Sequence, residues 1–407
     1  MAGAVAATGL PTVAVLGVRR ALDRGRGSRT TPVWTALAGT IAAVAALCAT
    51  AVFGASLSHL IASPELYGAP FQAYFQSSGP GAVPTGNLLT ELKRDPAIDR
   101  ITLATVPAIT VNGVSVRALA ATPVRGTVLL SAVDGRLPSG DGEIALGVAT
   151  MRGTGARIGD TVRVTVASPE GAPRTARLRV VGMLSFPGDF GTGGLGTGAA
   201  LTTAAYLAAQ CPPSADPSGQ QKCRKAAAAR PADGVLVHAA PGPAGAAALA
   251  HHVRQHQDNA VTPTVPTALV SFGESANFPL LLGIVVAVCG LATLAHLLMV
   301  SVSRRRTESG LLKALGFVRR QIAAVVLWQA GAVAVAGIAI GVPLGLAAGR
   351  VIWRAFARNV GVVPVPVLPG WLIAALAAGV LVAALAIAIV PALTAARSRA
   401  DQVLRAE

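Results

Sequence analysis

Three histidines stand close together in this 407-residue chain: His251, His252 and His256. On a helix two of these imidazoles lie one turn apart, a spacing that holds a metal ion when a carboxylate or thiolate completes the set. No carboxylate or cysteine completes one here, so the expectation is a solvated helix face with no metal. Residues 191–196, Gly-Thr-Gly-Gly-Leu-Gly, carry the letters of a dinucleotide-binding turn. That chemistry needs a buried parallel strand before the turn and an acidic partner after it. Neither is visible, and the six residues read as a flexible loop. Asp134, Asp141 and Glu143 fall at Gly-rich turns, where carboxylates are ordinarily solvated. Nothing in the chain has the form of a phosphate-cradling P-loop. The residues therefore call for no catalytic group and no cofactor, and any ATP used must be bound by another subunit.

The four cysteines divide by surroundings. Cys48 and Cys289 lie in apolar runs, where a small apolar-behaving residue needs no special role. Cys211 and Cys223 lie in a Pro/Gly/Ser-rich stretch of the polar segment. If that segment sits in an oxidising compartment the expectation is a disulfide, contributing about 3 kcal/mol by loop entropy. Two free thiols in a loop are the alternative.

The elements that must position these groups follow from hydropathy. Hydrophobic residues make up 53% of the chain and charged residues 13%, about half the charge usual in soluble domains. Four apolar runs, 33–57, 279–302, 322–349 and 371–396, are each long enough to cross a bilayer. The formal charge of +16 is concentrated around them, because residues 59–278 hold 17 Lys and Arg against 14 Asp and Glu. A net charge so placed reads as a topology signal, and with aromatics at 4% it does not read as a nucleic-acid surface. The short segments 1–32, 303–321 and 397–407 together hold 14 basic residues, whereas the loop 350–370 holds three. The positive-inside rule then puts both termini and the 303–321 loop in the cytoplasm and residues 58–278 outside. Residues 1–18 lack the basic start of a signal peptide and are broken by Pro11; they read as a cytoplasmic or interfacial lead-in, with a short extra span as the alternative. Nearly all the basic residues are Arg, the lysines being Lys93, Lys222, Lys225 and Lys313, which points to a GC-rich bacterial genome.

Residues 58–278 have the texture of an α+β domain. Segments 101–111, 161–166 and 178–184 read as strands, and 88–94, 202–209 and 246–257 as helices. Asp134-Gly135, Gly140-Asp141-Gly142 and Gly159-Asp160 punctuate them as turns. The fold class expected is thus an integral membrane α-helical protein, with four transmembrane helices and one extracytoplasmic α+β domain between the first and second.

Two patterns within the apolar half stand out. Gly337, Gly341, Gly345 and Gly349 recur every fourth residue, which lines them on one helix face where another backbone can come close. A tight crossing in a moving bundle or dimer seam and static packing in one subunit both fit. The second pattern lies in the cytoplasmic loop, where Leu311, Leu312 and Leu315 form the apolar face of a short helix. Glu308 and Lys313 are its charged groups and Gly316 its stop. Such a helix lies on the membrane surface and offers a ridge fixed to two spans; an interfacial helix with no partner is the alternative. His296 is the clearly titratable residue within a span, a functional candidate by default or a residue facing the interface.

At these residues the chain resembles the FtsX/MacB-like family of ABC permeases. The features that carry the resemblance are Arg304-Arg305-Arg306, Glu308, the run Leu312-Lys313-Ala314-Leu315-Gly316, Gln321-Ile322 and the Gly-rich third span. Residues 131–166 are similar to the family's extracytoplasmic core domain in DGRLPSGDGEIALG and GARIGDTVRV. Ser309, polar where an apolar residue is more typical, and the Cys211–Cys223 excursion depart from the pattern. The resemblance implies an ABC ATPase docked on Glu308–Gly316 as the coupling element, and a second permease copy or homologous half. It also implies contact with membrane lipid and a possible extracytoplasmic partner or substrate, with no nucleic acid. Family members export or extrude substrates, or act mechanically on outer partners. The chain further resembles the second half of longer duplicated permeases, whose joining segment is similar to residues 9–29. The corresponding expectation is a half-size subunit, a split gene product or a truncated reading frame.

Overall fold

The computed structural model describes residues 33–77, 85–169, 172–186, 190, 195–211, 217–266, 269, 277–304 and 318–397. They fall into two compact units. The first is built from long apolar helices (residues up to 56, 275–353 and from 366 onward), and the second from residues 57–274 with 354–365.

In the helical unit the first long helix is Val33–Ala62, the second Asn277–Arg304, the third Arg319–Val360 and the fourth Gly370–Arg397. The first, third and fourth are long and apolar enough to cross a membrane. The second holds a shorter described apolar stretch, Gly283–Thr293. Long apolar helices satisfy their own backbone hydrogen bonds, which is what a bilayer demands of a spanning segment. Small residues let them close on one another: Ala330, Val333 and Ala334 of the third pack with Ala384 and Ala388 of the fourth, all buried.

The third helix departs from the sequence expectation. Hydropathy ends it at 349 and makes 350–370 a loop, but the helix continues to Val360. Arg350, Arg354 and Arg358 are good helix formers, and no Gly or Pro interrupts 350–360. The stop comes at Gly361, whose φ of +89° suits a residue without Cβ. There the amides of Gly361 and Val362 both donate to the carbonyl of Ala357, at 2.9 and 3.0 Å.

The second unit is β-rich. Its strands are β1 (Ala73–Gln76), β2 (Ile98–Thr105), β3 (Ala108–Val111) and β4 (Val114–Arg125). There follow β5 (Ser131–Gly135), β6 (Glu143–Gly147), β7 (Thr161–Ala167) and β8 (Pro173–Ser185). The last are β9 (Ala199–Thr202), β10 (Gly234–Ala239) and β11 (Ala260–Val261). The single strand expected over 101–111 is two, parted at Val106-Pro107, since Pro lacks a ladder donor.

Strand β4 joins two halves. Its residues 120–125 pair with β2, and through β2 with β10, β1 and β11. Its earlier residues pair with β3 on one side and, in parallel, with β9 on the other. Because β3–β7, β7–β8, β8–β6 and β6–β9 also pair, the strands β4-β3-β7-β8-β6-β9 close on themselves. Alternation fills the interior of that ring. Val162, Val164 and Val166 of β7 and Leu178 and Val180 of β8 point in, with Ile109, Val111, Ile144 and Leu146. A second core lies where Phe75, Ile101, Val235 and Val237 meet Leu88 and Leu92 of the helix Thr85–Arg94.

Candidate functional site

The segment Glu308, Leu311, Leu312, Lys313, Leu315 and Gly316 lies outside the described residues, and its flanks are defined. The second long helix ends at Arg304 and the third begins at Arg319, with exposed Val318 in front of it. The Gln321 side chain accepts from the Val318 amide at 3.0 Å while the Gln321 amide donates to the Val318 carbonyl at 2.9 Å. This is the reach-back half of a capping box, and it gives Gln321 a physical reason to stand at that place.

The glycine row of the third helix rests on the first. A Cβ on Gly341 would come within 2.8 Å of Val44 Cβ, and one on Gly349 within 2.9 Å of Val52 Cβ. At Gly337 the neighbour is Thr40, and at Gly345 it is the Ala45 carbonyl with Cys48. Thr40, Val44, Cys48 and Val52 are themselves four apart, so one helix presents knobs where the other presents gaps. From the second helix, Gly290 meets Ala43 and Gly283 meets Thr50 in the same manner. The sequence reading did not single out those two glycines, although their seven-residue spacing was visible.

Cys211 and Cys223 form a disulfide with Cα atoms 5.8 Å apart. It ties the end of the helix Thr203–Gln210 to the helix Pro217–Ala228.

His251 is exposed, as a solvated face requires, but its neighbours correct the expectation. His252 is buried, not on a solvated face, and its Nε2 lies 3.0 Å from Asp95 Oδ2. His256 Nε2 lies 3.2 Å from Glu91 Oε2, and His238 Nδ1 lies 3.0 Å from Asp99 Oδ1. These carboxylates come from the Thr85–Arg94 helix, the connection after it and the start of β2, well over a hundred residues earlier, so helical spacing could not reveal them. The Asp95 carboxyl is held below its ordinary range, chiefly by the Ala97 amide and then by His252. Arg125 adds donations to the carbonyls of Lys93, Asp95 and Ile98. The arrangement knits two helices to β2 and brings no third ligand together: among the described residues no His, Cys, Asp and Glu group could hold a metal.

Within DGRLPSGDGE, Glu143 is not a free turn carboxylate. Both its oxygens take the Arg136 guanidinium, and Oε2 also accepts from the amides of Ser139 and Gly140, at 3.0 and 3.2 Å. Arg136 above all, then the Ser139 amide, lowers the Glu143 pKa from 4.5 to about 2. A carboxyl depressed on folding stabilises the native state above its ordinary pKa and loses that contribution as pH falls toward the depressed one. The thermal midpoint of wild type should therefore exceed that of Glu143→Gln at pH 7. The gap should shrink between pH 4.5 and about 2. A gap independent of pH would remove the ion pair as its cause. Asp141 is exposed at its turn as expected, whereas Asp134, also exposed, lies in β5 opposite Met183 and not in a turn.

Of residues 191–196, Leu195 and Gly196 are described. Gly196 has φ +76° and its carbonyl accepts from Ala149, so it serves a tight backbone approach to the helix Val148–Thr154. Arg152 of that helix donates to the Asn359 carbonyl at 2.8 Å and to Asn359 Oδ1 at 2.6 Å, placing a cation at the end of the long helix Arg319–Val360. Sequence reasoning missed this contact because it had placed Asn359 in a loop. His296, in the second long helix, is exposed.

Residues 280–399 match a family model described as FtsX-like permease C-terminal. No curated protein matches the chain. The matched stretch begins within the second long helix and includes the whole of the third, with its glycine row.

Proposed function

We propose, from the FtsX-like permease C-terminal domain carried by residues 280–399, that this chain is the transmembrane subunit of an ABC-type export, extrusion or mechanotransmission system. The domain supports the FtsX/MacB-like ABC permease family. With the apolar helices it supports a membrane-embedded permease subunit of the kind that associates with an ABC ATPase. In the proposed arrangement four helices cross the membrane, both termini are cytoplasmic and the β-rich unit is extracytoplasmic. A separate ATPase docks on the segment Glu308–Gly316, and a second copy or homologous half completes the machine.

The match over 280–399 carries this reading. The length of the third helix supports it. Its 42 residues begin just after the docking segment, and residues 354–360 belong to the β-rich unit. At 1.5 Å per residue such a helix measures about 63 Å, twice the roughly 30 Å of a hydrocarbon core. One continuous helix thus runs on from the docking segment to Val360, with Pro343 inside it as a point where it can bend.

The test is co-purification of ATPases from the native membrane with wild type and with a Glu308→Ala/Lys313→Ala/Gly316→Pro variant. Wild type should retain an ATPase, and the variant should retain at least tenfold less with its β-rich unit still folded. Equal retention would remove the docking segment from the proposal. No ATPase with either form would leave a membrane-anchored binding domain in place of an ABC subunit.

A further inference from the structure

The outward face of the β7–β8 hairpin carries an unusual set of side chains. Val162, Val164, Val166, Leu178 and Val180 point inward and are buried, whereas Arg163, Arg177 and Arg179 point outward and are exposed. The register places Arg163 directly opposite Arg177, and Arg179 opposite Thr161 one rung further along. The rung on the other side is Thr165 opposite Thr175, with their hydroxyl oxygens 3.1 Å apart. Three guanidiniums therefore stand within about 5 to 7 Å of one another at their Cβ atoms, from the spacing of paired and alternate strand residues.

Like charges directly opposite across a strand pair destabilise a sheet. Among the described residues none of the three guanidiniums has a side-chain hydrogen bond or ion pair. The carboxylate nearest in register, Glu143 beside Arg179 on β6, is already taken by Arg136 and two amides. Asp160, just before β7, accepts from the Arg157 amide in its own turn. The acids of the opposite half, Glu91, Asp95 and Asp99, are spent on histidines. Positive charge is thus segregated onto this face at a cost to folding, and among the described residues no hydrogen bond or ion pair of these side chains offsets it.

We propose that this face binds a phosphodiester polyanion, a chain of phosphates linked through polyol units and carrying no bases. The guanidinium fork matches a phosphate bidentately, and hydroxyl rows beside it supply further donors. Among the described residues of β7 and β8 none is aromatic, so the face offers no stacking platform of the kind single-stranded nucleic acid uses. Acidic proteins and anionic lipid surfaces share the charge, and the competition arms below distinguish them from the polymer. What is left is recognition by charge and fork geometry. This inference goes beyond the permease reading and uses only the β-rich unit.

The probe is fluorescent poly(glycerol phosphate), titrated into the detergent-solubilised full chain over a range of salt. Wild type should bind with an affinity that falls steeply as salt rises. Arg163→Ser/Arg177→Ser/Arg179→Ser should weaken binding at least tenfold and flatten the salt dependence by roughly three counterions. Its thermal midpoint should equal or exceed wild type, because opposed charges have been removed; the single variants R163S and R177S read the same way. Lys222→Ser/Arg224→Ser/Lys225→Ser removes the same charge from an exposed helix elsewhere and should change affinity less than twofold. Unchanged binding by the arginine variant, or an equal loss in the lysine-rich control, would overturn the proposal. So would competition by anionic lipid vesicles or polyaspartate that is stronger than by the unlabelled polymer.

Discussion

A Gly345→Leu chain should be recovered largely misassembled, whereas Gly379→Leu should behave almost as wild type. Gly345 faces the first long helix so closely that a Cβ would stand 2.6 Å from Cys48 Cβ and 2.9 Å from Ala45 Cα. The second of these neighbours is backbone, which no rotamer change can move aside. Four more carbons would force the two helices apart along the whole glycine row, and overpacking on that scale costs about 3 kcal/mol. Nothing lies within 4 Å of the corresponding point at Gly379, on the fourth helix. Monodispersity after detergent extraction, together with the thermal midpoint, reads the difference. Equal behaviour of the two variants would mean that the first and third helices do not cross at the glycines.

The second large effect is expected at Gly182, in the middle of β8. It stands opposite Gly135 of β5 and Ala145 of β6. A Cβ there would overlap the Arg136 carbonyl and come within 2.8 Å of the Arg136 amide. Gly182→Ala should therefore lower stability by about 2 to 3 kcal/mol. Arg136 also carries the fork that holds Glu143, so the same variant should weaken the pH dependence that Glu143 confers. Gly142→Ala, where nothing lies within 4 Å, should do neither. A Gly182→Ala chain with wild-type midpoint and wild-type acid response would separate the β5 turn from the Glu143 fork.

The apolar helices were legible because a bilayer imposes length and apolarity on contiguous residues, and contiguity is what a sequence displays. Strand β7 was equally plain, since Val162, Val164 and Val166 alternate with polar residues. The glycine row could be read as a surface for close approach, but not its occupant, because nothing in 337–349 points to Thr40, Val44, Cys48 and Val52. His252 and His256 were misread for a related reason: Asp95 and Glu91 reach them only through the packing of two helices. Glu143 looked like a solvated turn residue until the turn itself brought Arg136 back upon it. The end of the third helix was misplaced because three arginines in eleven residues resemble a loop after an apolar run, although nothing in them breaks a helix. The arginine face needed the β7–β8 register, which a sequence gives only after the turn is known.

The closed ring of strands has a consequence for the order in which the chain can become native. Its last seam is the parallel pairing of β4 with β9, in which Ala118–Ala121 wait for Ala199–Thr202. The other half waits longer, since β1 ends at Gln76 and its partner β10 begins only at Gly234. Contacts this distant in sequence form slowly, because the intervening chain must first be brought together. During synthesis the β3–β4 and β7–β8 hairpins can form early, but the ring they belong to stays open until about residue 202 has emerged. The first long helix is complete well before then. The nascent chain thus exists for a time as a finished apolar helix followed by unsealed strands, whose open edges and apolar faces are what misassembly would use.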